Sequence, residues 1–346
     1  LRTEAILGAL AGLGLAAAIA EPAEIAVTAS METAPVAGDA DDPAIWISPA
    51  DPAGSLILGT DKTQGLFVFD LSGAVVADFP DGKLNNVDLR PFELGGREVW
   101  IAGATKREDD TLVFYVIDAA GHVERAAPFA FPGHPAGMAD EVDDIYGFAM
   151  QRLPDGRVFA LANYKSGHVF QWQLLDEAGQ LGTRLARQWR VPSQPEGMAS
   201  DDRAGMIYVG EEDHGIWRLD GAPEAEAAPE KVVSIPSACL PRDDVEGLEV
   251  YDDGTRRYLA ASAQGIHRVA LYDLNAPDMP CRALVEIAAG AEIDGVSETD
   301  GLTVTPHPLP GHPAGVLVMM DDQNAGFTTN FKLVDWAEIA AGLGDD

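Results

Sequence analysis

Basic residues are scarce in this chain of 346: 23 Lys and Arg stand against 56 Asp and Glu, a formal charge of −33. That balance excludes nucleic acid as a partner, since binding it needs a basic face, and it excludes an anionic membrane surface for the same reason. Two readings remain: an acidic surface kept for solubility, which explains most of the excess, or a chain carrying several cation sites. Cysteine is limited to Cys239 and Cys281 and histidine to seven positions. They do not cluster, so a zinc centre has no ligands. In an exported chain the two thiols either pair in a disulfide or stay buried and free; pairing is the favoured reading. Long helical periodicity is missing until "VDWAEIAAGL" at Val334. There is no Gly-x-Ser-x-Gly, no P-loop and no Cys-His pair, so acyl transfer and nucleotide binding have no support. The one long apolar stretch, "LRTEAILGALAGLGLAAAIA" (1–20), lies behind a single Arg and ends in Ala18-Ile19-Ala20 before Glu21. Its length and flanks read as the remnant of a secretory signal and not as a membrane span. The expectation is one folded domain over residues 21–346, secreted or periplasmic, and a monomer.

What the chain has in abundance is repetition. A short apolar strand, a polar loop and a second strand with period-two alternation recur six times. Examples are "SLILGTDKTQGLFVFDL" from Ser55, "VFALANYKSGHVFQWQL" from Val158 and "IYVGEEDHGIWRLD" from Ile207. A polar corner leading into another strand precedes each hairpin: "DDPAIWI", "NNVDLRPF", "DDIYGFAM", "PEGMASD", "VEGLEVY" and "TDGLTVT". The period of roughly fifty residues lies in the range of propeller repeats. The pattern predicts an all-β, six-bladed β-propeller, with "EIAVTA" at Glu24 as the candidate strand that completes the last blade and closes the ring. Solenoids and sandwiches explain less, because neither accounts for six polar corners.

In a propeller the corners before the first strands and the loops between second and third strands emerge on one face. Asp41, Asp42, Asn85, Asn86, Asp88, Glu196, Asp244, Glu246 and Asp300 then share a rim with Lys62, Arg107, Lys165, Glu212 and Asp321. So many carboxylates on one rim require cations, and an oxygen-only ligand set suits Ca²⁺, which takes six to eight oxygens in loose geometry. Lys62, Arg107 and Lys165 lie in acidic loops of three successive blades. With calcium they make a site of mixed charge, as a multiply phosphorylated ligand requires. Glu212 is placed to orient or deprotonate a water.

The motifs "DADDPAIW" (39–46), "GKLNNVDLR" (82–90), "YGF" (146–148), "EGMASDD" (196–202), "IYVGEEDHGIW" (207–217), "VEGL" (245–248), "DGVSETDG" (294–301) and "NFKLVDW" (330–336) run in unbroken order along the chain. Jointly they resemble the β-propeller phytases, the alkaline calcium-dependent phytases of bacteria. That resemblance implies a six-bladed propeller that hydrolyses phytate, an inositol ring with six phosphates, by direct attack of calcium-bridged water without a phosphoenzyme. It implies a catalytic group of Glu212, Glu196, Tyr146 and Asp294, with cleavage-site calcium held by Asp41, Glu196, Glu212, Asp244, Glu246 and Asp294. Phosphates would be gripped by Lys62, Arg107, Lys165 and Arg90. Stabilising calcium ions would fall to Glu32, Asp42, Asn85, Asn86, Asp88 and Asp321, joined by Asp300. Several features depart from the family pattern: Thr63 follows Lys62 where a second lysine is frequent, Ser166 follows Lys165 where an acid is frequent, Asp143 stands for Asn, and Gln323 replaces a carboxylate. They bear on affinity and substrate range more than on hydrolysis. Two alternatives stand beside this reading: a calcium-dependent propeller lactonase or esterase with a His base, and a non-catalytic calcium-binding propeller.

Overall fold

In the computed structural model residues 21–324 and 326–344 are described, so the expected signal remnant lies outside the described residues. Strand after strand of near-continuous burial, such as Leu56–Asp61 and Val158–Tyr164, marks elements covered on both faces. Outer strands such as Val75–Phe79 are largely exposed. That gradient is what stacked blades produce: inner strands are sandwiched between neighbouring sheets, and exposure rises toward the outer edge of each sheet.

Six sheets form; four are built from consecutive strands alone, and two also take in a strand from the N-terminal segment. Blade one runs Ala40–Trp46, Leu56–Asp61, Gly65–Asp70 and Val75–Phe79. The innermost strands of the following blades are Leu84–Leu94, Ile145–Arg152, Pro195–Asp201, Val245–Asp252 and Leu302–Thr305. Each innermost strand touches the next around the ring, and the sixth returns to the first. The six-bladed propeller expected from the repeats is the observed fold. Apolar clusters sit mainly between adjacent blades, for instance Phe114 and Phe148 with Phe170 between blades two and three.

Closure differs from the expectation in one respect. Ala23–Thr28, the "EIAVTA" strand, runs parallel to Cys281–Ala288 as a fifth strand of blade five. The strand that completes blade six is the short Met31–Glu32, antiparallel to Thr328–Asp335. Ile25 and Val27 are held on blade five because they pack with Val285, Ile287, Trp336 and Ile339. The last two belong to the helix Trp336–Leu343, which Asp335 caps through the Ala337 amide at 3.0 Å. Cys239 and Cys281 are joined, tying the segment that leaves blade four to the outer strand of blade five. Closing that loop contributes about 4 kcal/mol in the chain-entropy view.

Candidate active site

Five of the six innermost strands carry the same irregularity near their start. Register breaks between Ala40 and Pro43, Leu84 and Val87, Ile145 and Phe148, Pro195 and Met198, and Val245 and Leu248. In each case two residues face one on the neighbouring strand, which is a β-bulge, a device that re-aims side chains at a sheet's end. The first bulge residues are Asp41, Asn85, Tyr146, Glu196 and Glu246, and the equivalent position in blade six is Asp300. The repeated bulge therefore presents one functional group per blade at one mouth of the channel.

The residue after each is Gly147, Gly197, Gly247 or Gly301 in the last four blades. A Cβ on Gly197 would lie 1.8 Å from the Glu246 carbonyl oxygen, and one on Gly147 would lie 1.9 Å from that of Glu196. The glycines let successive bulges close on one another. Polar side chains opposite the bulges satisfy the displaced backbone: Thr105 Oγ1 donates to the Tyr146 carbonyl, and Asn163 Nδ2 donates to the Glu196 carbonyl at 2.6 Å.

Charge at this mouth is dense and poorly compensated. Asp41 is fully buried, and neither of its carboxylate oxygens accepts a hydrogen bond. Its nearest cation is Lys62 Nζ, 3.2 Å from Oδ1, which also bonds Asp300. Glu196 Oε1 accepts from Asn85 Nδ2 at 2.9 Å, while Oε2 has no partner. Burial, then the opposing effects of Lys62 and of Glu196, leaves the Asp41 carboxyl at about 8. Burial and the Asp300 charge bring Glu196 to about 7. Glu246 is raised well above its ordinary value by burial and by Glu196 beside it. Burial, followed by the charges of Glu196, Glu246 and Glu212, pushes the Tyr146 phenol up, so it stays protonated. Glu212 is fixed by Gln194 Nε2, 2.7 and 2.8 Å from its two oxygens, and burial raises it. Asp244 stands close enough to raise Glu212 further.

Facing the carboxylates are the three expected cations. Arg107 Cζ lies 5.1 Å and Lys165 Nζ 4.4 Å from the centroid of the Tyr146 ring. Arg107 Nη1 also donates to Asn85 Oδ1 at 3.4 Å. A family model described as Phytase matches residues 3–346. The chain belongs to the phytase family. A similar protein is the 3-phytase of Bacillus subtilis (strain 168), 36% identical over 333 residues, which are 92% of this chain and 86% of that protein. Membership makes the chain a phosphoric monoester hydrolase.

The geometry of this phytase brings Asp41, Asn85, Tyr146, Glu196, Glu212, Asp244, Glu246 and Asp300 to one mouth with Lys62, Arg107 and Lys165. It places the others elsewhere. Arg90 is four residues beyond Asn86 on an extended strand, roughly 13 Å away. Its guanidinium binds Asp88 and Asp202 at 2.7 Å each, and it lines a cavity of about 540 Å³ at the opposite end of the channel. It is an interblade tie and not part of the phosphate grip at the mouth. Asp42, Asn86 and Asp88 face the channel interior together with Glu249, which the motifs did not single out. Asp42 accepts from the Val87 amide at 3.0 Å, and Asp88 from that of Met150 at 2.7 Å. Asp294 is likewise apart from the expected catalytic group: it pairs with the fully buried Lys332, whose ammonium also binds Asp321 at 2.7 Å and the Gly295 carbonyl at 2.8 Å. Glu32 accepts from Asn330 Nδ2 at 3.0 Å in the same blade, where the side-chain Oδ1 atoms of Asn330 and Asn324 are buried without donors.

An ion site is supported by these orphaned oxygens. Asp41 Oδ2 and Glu196 Oε2 are acceptors with no donor, Asp41 Oδ1 has only the Lys62 ammonium 3.2 Å away, and the ligand atoms offered are all oxygen, as a hard cation requires. Among the described residues no three His, Cys, Asp or Glu side chains form a ready-made cluster around one point.

Proposed function

We propose that the chain removes phosphate from phytate at this mouth with calcium as the resident cation, and that it works as an exported monomer. The carrying observation is the ring of bulge residues, whose buried, unpartnered carboxylates stand opposite Lys62, Arg107 and Lys165. Calcium would be held by Asp41, Glu196, Glu246 and Asp300 with Glu212 and Asp244, and when bound it would offset their charge and polarise the phosphoryl group.

The chain's own residues supply the rest. Lys62, Arg107 and Lys165 bind phosphate oxygens and favour the charge that builds on them as the ester bond breaks. Glu212, held by both of its oxygens on Gln194, keeps one orientation. From there its carboxylate can accept a proton from the attacking water. Tyr146 keeps its proton beside Glu196, Glu246 and Glu212. None of the six ring positions is a histidine, so a lactonase would have to draw its base from the surrounding loops. The test is phosphate release from phytate by chelator-stripped protein while calcium or magnesium is titrated back. Activity that returns with calcium, and falls strongly in Glu212→Gln, supports the reading. No release at any calcium level refutes it.

A further inference from the structure

The manner in which two of the three phosphate-facing cations are held differs from the third. Lys62 is buried among carboxylates, bound to Asp300 with Asp41 3.2 Å away. Arg107 and Lys165 instead meet the π system of one aromatic ring, at 5.1 and 4.4 Å from its centroid. Arg107 makes one long ion pair, with Asp144 at 3.8 Å, and Lys165, which acts on the nearby Glu212 charge, makes no direct ion pair among the described residues. A carboxylate partner would hold a cation by neutralising it. An aromatic face attracts a cation through its quadrupole and leaves the net charge in place. In a mouth this acidic, an unsupported lysine would settle on the nearest carboxylate. We propose that Tyr146 is a positioning residue for substrate: its ring holds Arg107 and Lys165, from successive blades, as a paired clamp for one phosphate group that keeps its full positive charge.

The ring is well placed to do this. Tyr146 is the first bulge residue of blade three, so its backbone is fixed from two sides: Thr105 of blade two donates to its carbonyl, and Asn163 accepts the following amide at 2.8 Å. Its ring meets the two cations, while Glu196, Glu246 and Glu212 lie close enough to act on its hydroxyl, so one residue touches both halves of the site. Removing the hydroxyl and removing the ring should therefore have different kinetic signatures.

The clamp rests on the phosphate-ester reading, and the experiment separates the two. Full-length protein in excess calcium is assayed on phytate, and the non-hydrolysable inositol hexasulfate is bound in parallel by calorimetry. Tyr146→Phe should lower kcat while leaving KM and the hexasulfate Kd within about twofold, because the face is kept. Tyr146→Leu should weaken hexasulfate binding by about tenfold, the scale of two released cation contacts. Lys165→Met should weaken it similarly, and the double variant should be less than additive, since the ring acts through the lysine. Equal Kd in Tyr146→Phe and Tyr146→Leu, or full additivity with Lys165→Met, overturns the clamp. Should Tyr146→Leu fail to fold, Tyr146→Trp retains a face and is expected to retain binding; a tenfold loss there overturns it equally. An unmodified chain that binds hexasulfate but releases no phosphate refutes the hydrolytic reading and leaves the clamp judged by the Kd series alone.

Discussion

Protein stripped of divalent cations should become less stable as the pH rises from 5 to 8. Asp41 and Glu196 have unfolded-chain values near 3.8 and 4.5, and the fold holds them at about 8 and about 7. Across that interval the native state binds more protons than the unfolded state, so stability falls with rising pH. Each unit of displacement is worth about 1.4 kcal/mol. Asp41 follows the pH over nearly the whole range and Glu196 over about two-thirds of it, so together they remove on the order of 5 kcal/mol. Both side chains are essentially inaccessible to solvent, so bulk water provides little screening. For a domain of this size the loss corresponds to a fall in Tm of roughly 5–10 °C. The assay is a set of thermal melts in chelator at pH 5, 6, 7 and 8, repeated with calcium. Calcium should abolish most of the slope, since it favours the ionised carboxylates, and Asp41→Asn should reduce the slope in chelator by about half. A Tm in chelator that stays level or rises over this range would refute the electrostatic account of the mouth.

Two further outcomes concern the scaffold. Lys332→Met should cost about 3–5 kcal/mol in denaturant unfolding, because it strands Asp321 and Asp294 without their shared ammonium; a loss below 1 kcal/mol would mean that the ion pair is dispensable. Gly197→Ala should cost at least about 2 kcal/mol and most of the activity, since its methyl would collide with the Glu246 carbonyl. Gly54→Ala, whose methyl would meet only ordinary contacts, serves as the near-neutral comparison.

Alternation within hairpins and a regular supply of polar corners were enough to read blade count and the face on which the chemistry gathers, because both follow from local periodicity. Identity of the cations was also legible, since Lys62, Arg107 and Lys165 occupy equivalent hairpin tips. What escaped the sequence depends on how far along a strand a side chain sits and which edge a strand joins. Arg90 shares a motif with Asn85 and Asn86, yet four extended residues carry it toward the other end of the channel. The "EIAVTA" alternation specifies a strand but not its partner, and the packing of Ile25 and Val27 against the terminal helix decided for blade five. Lys332 reads as one charge in an apolar strand; only the folded pairing shows that it occupies the position between Asp294 and Asp321. The bulges had a faint signal, a Gly directly after Tyr146, Glu196, Glu246 and Asp300, which marks close backbone approach.

The seam at blade six has a consequence for biogenesis. Met31–Glu32 pairs with Leu333 and Lys332, the Ala40 amide bonds Thr329 Oγ1 at 2.8 Å, and the Phe331 ring fills the space above Gly59. Nearly three hundred residues separate these partners along the chain. A ribosome delivers the N-terminal partner first, so blade one waits with an uncovered apolar face and an unpaired leading segment until the final hairpin has been synthesised. Intermediate lengths can assemble individual blades but not a ring, and every nascent chain must keep its first strand away from competing edges for almost the entire duration of translation.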